Sequence, residues 1–159
     1  MNVHGTIDAF VAHVDPPGDL FRRVESAPWV EALEAKLPKR FPASFRSLLT
    51  RYTFPPFDAG GLRFFSNTGA ESHEELGVAI FSDRIIAGAS LGAGYVQFAR
   101  PESGSYDPIC FEERRAASNR EFPIVRLDHE EILCRHRIHV SERVADSFYQ
   151  FAAGITGRA

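Results

Sequence analysis

Gly94-Tyr95-Val96-Gln97-Phe98-Ala99-Arg100-Pro101, near the middle of the chain, is the stretch on which the fold turns. Its apolar alternation is imperfect, but tyrosine, valine and phenylalanine between a glycine and a proline read as a strand. Similar runs recur at 62–65, 78–81, 109–111 and 122–127, each bounded by Gly, Pro, Asp or Asn. Upstream the period changes. Val3, Ile7, Phe10, Val11 and Val14 form the apolar stripe of an amphipathic helix, which Asp15-Pro16-Pro17-Gly18 stops. A second helix follows Ser26 as N-cap, with Pro28 in its first turn and Trp29, Leu33 and Leu37 at helical spacing. Pro42 opens a third, with Phe45, Leu48, Leu49 and Tyr52 on one face. Phe54-Pro55-Pro56-Phe57 and Asp58-Ala59-Gly60-Gly61 are turn chemistry. Downstream, 130–137 reads as a short helix whose N-cap is Asp128. Ser141 is expected to cap a last helix carrying Val144, Phe148 and Phe151, with Gly154 as its stop. Helices, then strands, then helices predict an α+β domain: an antiparallel sheet of about five or six strands packed against N- and C-terminal helices.

The 159 residues and 17.7 kDa fit one domain, large enough to bury a core without a metal or disulfide staple. A hydrophobic share of 44% with 25% charged residues is that of a globular protein. No apolar run approaches the ~20 residues of a membrane span, and Met1-Asn2-Val3-His4-Gly5 does not open a signal peptide, so the expected location is cytoplasmic. The net charge of −3 and pI near 6.1, with Arg22-Arg23, Lys39-Arg40 and Arg114-Arg115 the only adjacent basic pairs, argue against a nucleic-acid partner. Cys110 and Cys134 make no disulfide framework. The cations are 16 Arg and 2 Lys, a bias that codon usage explains, and Phe supplies 14 of the 19 aromatics.

The motifs for catalysis are incomplete. Gly88-Ala89-Ser90-Leu91-Gly92 spells the Gly-x-Ser-x-Gly of a nucleophile elbow, and Arg84-Ile85-Ile86-Ala87 supplies a strand before it. The helix that should follow is replaced by what reads as turn and strand. The same glycine-rich run, 88–94, lacks the Gly-Lys-Ser/Thr ending of a phosphate cradle. His129, Cys134, His136 and His139 offer zinc-compatible atoms, but on one helix Cys134, His136 and His139 scatter around the axis. A small hydrolase using Ser90, or a metal enzyme using that His/Cys cluster, is therefore the alternative reading. The preferred one has no catalytic, cofactor-binding or metal-binding residue.

Four segments in order carry a family likeness. They are Leu37-Pro38 with Phe41-Pro42-Ala43-Ser44-Phe45 entering a helix that ends at Tyr52; Tyr106-Asp107-Pro108-Ile109-Cys110-Phe111; Pro123-Ile124-Val125-Arg126-Leu127-Asp128-His129-Glu130; and Ala145-x-Ser147-Phe148-x-x-Phe151. Together they resemble the SMI1/KNR4 (SUKH) family, with Tyr106 standing where that family carries glycine. The resemblance spans 25–153, leaving 1–24 as an N-terminal helical extension and 154–159 as a tail. It implies an α+β fold and a non-catalytic, protein-binding role. Bacterial members are commonly immunity proteins that neutralise nuclease or deaminase toxins. The expected core is Trp29, Phe45, Leu48, Phe111, Leu127, Phe148 and Phe151. The expected partner contacts lie in the 57–61 turn and the 100–107 loop, at Phe57, Asp58, Tyr106 and Asp107. No nucleic acid or membrane partner is expected.

Overall fold

Asn2 starts the first helix by accepting the Gly5 N–H on its side-chain oxygen, and α1 runs Val3–Val14 as the spacing predicts. Asp15 ends it and builds the next turn, because its carboxylate accepts the backbone N–H groups of Gly18, Asp19, Leu20 and Phe21. Those bonds hold its carboxyl below the usual range. A two-residue strand, β1 (Arg22–Arg23), leads to α2 (Pro28–Glu34), α3 (Ala43–Arg51) and β2 (Tyr52–Thr53), which pairs antiparallel with β1. Ala27, not Ser26, sits at the N-cap of α2 and makes no side-chain cap bond; Pro28 supplies the fixed φ of the first turn. The computed structural model describes residues 1–113 and 120–157; the Arg114-Arg115 pair and residues 158–159 lie outside these.

The hairpin β3 (Phe57–Ala59) and β4 (Leu62–Phe64) turns at Gly60 and Gly61, both with positive φ. At Gly60 the space is also closed: an added Cβ would lie 2.8 Å from Cζ of Phe151. Next come α4 (Leu76–Ser82), α5 (Arg84–Gly92), β5 (Tyr95–Pro101), β6 (Ile109–Glu112), β7 (Ile124–Leu127), α6 (His129–Arg135), β8 (Val140–Ala145) and α7 (Phe148–Ile155). Strands β3 to β8 form one antiparallel six-stranded sheet in strict chain order. The α+β architecture and the strand count match expectation.

Residues 57–59 form strand β3 where the sequence reads as turn, and three further segments differ from the sequence reading. Residues 78–81 belong to helix α4: Leu76, Ala79 and Ile80 are buried at i, i+3 and i+4 while Val78 is exposed, a helical period that a four-residue window hides. Residues 84–92 are also helical. Asp83 caps α5 by accepting the N–H groups of Ile85 and Ile86, and Ile86, Ala87 and Ser90 face inward. The chain turns only at Gly94, with φ +85°. Residues 140–145 are the edge strand β8, and the last cap is Ser147, whose hydroxyl accepts the Gln150 N–H. Gly154 lies inside α7, which ends at Ile155 before Gly157 takes positive φ.

The main core lies on one face of the sheet, under α1, α3, α4 and α7. Phe98 stacks on Phe111 at 4.1 Å, Phe57 on Phe64 at 4.7 Å, and Phe45 touches Phe41, Phe98, Phe111 and Phe148. Residues before 25 share this core, since Ile7 and Phe10 of α1 are fully buried in it. Trp29 and Phe151 are only partly buried at its margin. On the other face α5 and α6 cover a smaller cluster of Ile86, Tyr95, Cys110, Val125, Leu127 and Ile132. Among the described residues no helix is long and apolar enough to cross a membrane.

Candidate functional site

Along β4 the side chains alternate, so with Leu62 and Phe64 in the main core Arg63 points to the opposite face. Its cross-strand partners are Asp58 on β3 and Arg100 on β5, and residues paired across strands share a face. Arg63 reaches Asp58 at 3.4 Å and donates to both carboxylate oxygens of Glu74, at 3.2 and 3.4 Å. Arg100 extends the row. Its guanidinium lies 4.2 Å from the centroid of the Tyr106 ring, within cation–π range.

The loop between β5 and β6 leaves the sheet at Glu102, whose N–H bonds the Gly61 carbonyl, and turns at Gly104 with φ +89°. That path brings Tyr106 to the surface, 39% exposed. The ring is nonetheless fixed. Arg100 covers it, His129 meets it edge-on at 5.8 Å, and its hydroxyl donates to Asp83 at 3.3 Å.

Asp107, the next residue, turns inward. Oδ2 accepts Arg126 Nε at 2.7 Å, while Oδ1 accepts the backbone N–H of His129 at 3.0 Å and faces its Nδ1 at 2.5 Å. Burial alone would raise this carboxyl; the bonds from His129 and Arg126 outweigh it and hold it down to about 2. An ionised Asp107 requires the proton on Nδ1, which sets the tautomer and angle of the His129 ring. Asp128, as expected, caps α6 by accepting the N–H groups of Glu130 and Glu131.

Of the expected contact residues, Asp58 and Tyr106 reach one face, joined through Arg63 and Arg100. Phe57 does not. It is 3% exposed and stacked in the main core, because alternation along β3 turns it inward when Asp58 turns out. Asp107 serves as the internal brace of the Tyr106 loop. Arg63, Arg100, Asp83 and Arg126 were not singled out by sequence. The one local signal that could have found Arg63 is the alternation at Leu62-Arg63-Phe64.

The residues of the alternative reading do not converge. Ser90 is 3% exposed within α5, so its five-letter motif is helix and not an elbow. Cys134, His136 and His139 are exposed. Among the described residues one group, Asp107, Asp128 and His129, brings potential ligand atoms within 4.8 Å of one another. A cation there would compete with the Arg126 guanidinium for Asp107 and with the ring proton of His129. Cys110 is buried, which pushes its thiol up and leaves it un-ionised at neutral pH. No family model and no curated protein matches this chain.

Proposed function

We propose that this protein is a non-catalytic binding module that docks a protein partner on the face around Tyr106, acting in the cytoplasm as an immunity protein that neutralises a bacterial nuclease- or deaminase-type toxin. The observation that carries the binding role is the Tyr106 ring, exposed yet held by Arg100, His129 and Asp83. An aromatic side chain fixed before the encounter loses little rotamer freedom on docking. Tyr and Arg also dominate the few residues that carry most interface energy. The toxin-neutralising role rests on the likeness of the 25–153 segments to the SMI1/KNR4 (SUKH) family. A net charge of −3 suits a basic partner through electrostatic steering.

Co-expression with the toxin domain encoded beside its gene tests the reading. The wild type should restore growth and bind the toxin. Tyr106→Ala should weaken binding at least about 30-fold, the loss expected at an interface hot spot, with an unchanged circular dichroism spectrum. Failure to rescue growth, or a Tyr106→Ala variant that binds equally well, overturns it. So does stoichiometric zinc on the purified protein.

A further inference from the structure

We propose that a second site, the cavity between α3 and the segments at 39–41 and 120–122, binds a polyphosphate group. The cavity measures about 690 Å³, within the range of small-molecule sites. Lys39, Arg40, Arg46 and Arg120 line it, with Phe41 and Phe122 among its walls, and no carboxylate lines it among the described residues. This is a concentration of one sign of charge in a chain whose net charge is −3.

Among the described residues these cations have no ion-pair partner. Arg46 is the exception, because its Nε donates to Glu34 at 3.0 Å and its Nη2 lies 3.6 Å from Glu31. Lys39 Nζ donates to the backbone carbonyl of Glu113 at 2.7 Å, a bond that orients the ammonium without cancelling its charge. The Glu113 side chain supplies no counter-charge at neutral pH, since burial pushes its carboxyl up to about 8. Arg40 and Arg120 form no ion pair among the described residues. Three unmatched cations around one concavity repel each other and focus a positive potential into it. A ligand with several negative charges relieves that repulsion, and guanidinium forks match phosphate oxygens two at a time. The volume exceeds what a single phosphate fills and leaves the Phe41 and Phe122 side of the cavity for an organic moiety.

This site shares no residue with the Tyr106 face and does not depend on the toxin-neutralising reading. Calorimetric titration of the full chain in magnesium-free buffer at physiological salt is the test, with ATP, ADP, AMP, adenosine and tripolyphosphate as probes. Affinity should fall from ATP to ADP to AMP, and adenosine should give no heat. Arg40→Gln and Arg120→Gln should each weaken ATP binding roughly tenfold, the loss of one hydrogen bond to a charged group. Lys36→Gln, in a different cavity, should not change it. Tripolyphosphate binding as well as ATP supports the proposal and assigns the affinity to the phosphates. Tighter binding of ATP supports it and adds a contact for the base and sugar. The proposal is overturned if neither triphosphate binds at millimolar concentration, if both arginine variants bind like wild type, or if a polyglutamate peptide binds where the triphosphates do not.

Discussion

At Asp107 a carboxyl pulled down to about 2 makes folding sensitive to acid. The group is ionised in the folded state where its unfolded counterpart, at an ordinary 3.8, begins to take up protons. Its contribution is therefore present above about pH 4 and is lost as the pH falls towards 2. The shift corresponds to about 2 kcal/mol. Urea unfolding of wild type and Asp107→Asn between pH 6 and pH 2 should show the stability gap shrinking by about that amount at the acid end. Glu113 has the opposite sign. It is 1% exposed, neither of its carboxyl oxygens has a hydrogen-bond partner among the described residues, and its folded value near 8 lies far above an ordinary 4.5. Folding is unpenalised below about pH 4.5 and becomes progressively costlier as the pH rises to about 8. Glu113→Gln should therefore be more stable than wild type by a few kcal/mol at pH 9, and the two should converge near pH 4. A gap independent of pH at either position contradicts the environment described for it.

The helix assignment of α5 has a consequence at the scale of the element. Gly88 is exposed within the helix, and an added Cβ there meets nothing within 4 Å. Gly88→Ala should raise stability by about 0.5–1 kcal/mol in thermal unfolding, the propensity difference between the two residues in a helix. A glycine serving a turn would show a loss instead. The contrast explains why some elements were legible in sequence and others were not. Helix α1 carries its stripe over three turns and ends at a Pro-Pro-Gly break, so period and punctuation agree. In α4 and α5 only two turns each are present, interrupted by glycines at 77, 88 and 92, and the same letters fit a strand, a loop or an elbow. The C-terminal corner failed differently. Val144, Phe148 and Phe151 keep helical spacing although the chain passes from β8 into α7 between the first two, because a strand and a helix both feed one core. At the site, Tyr106 and Asp58 stood out as residues in turn-rich segments. Their link through Arg63 and Arg100 depends on strand register, which no local pattern encodes.

Across the whole molecule the phenylalanines form one connected cluster spanning both helices and sheet. Phe45 ties α3 into it, touching rings from β5, β6 and α7 as well as Phe41. Phe45→Ala should cost about 3–5 kcal/mol in denaturant unfolding, because neighbours held from several sides collapse poorly into the space left. A loss below about 1 kcal/mol would mean that the surrounding rings repack freely.

The packing of α1 on α7 fixes when that cluster can close during synthesis. Phe10 meets Phe148 with ring centroids 5.9 Å apart, so α1 is completed only by α7, which is made after the whole sheet. At ~5–20 residues per second, the ribosome takes on the order of ten seconds or more to cover that interval. Throughout it Ile7 and Phe10 are without their final partner, whereas each strand of the sheet meets its neighbour as soon as the next has emerged. Until α7 is made, the side of α1 that faces Phe148 is therefore uncovered, and that strip is where a chaperone would take hold.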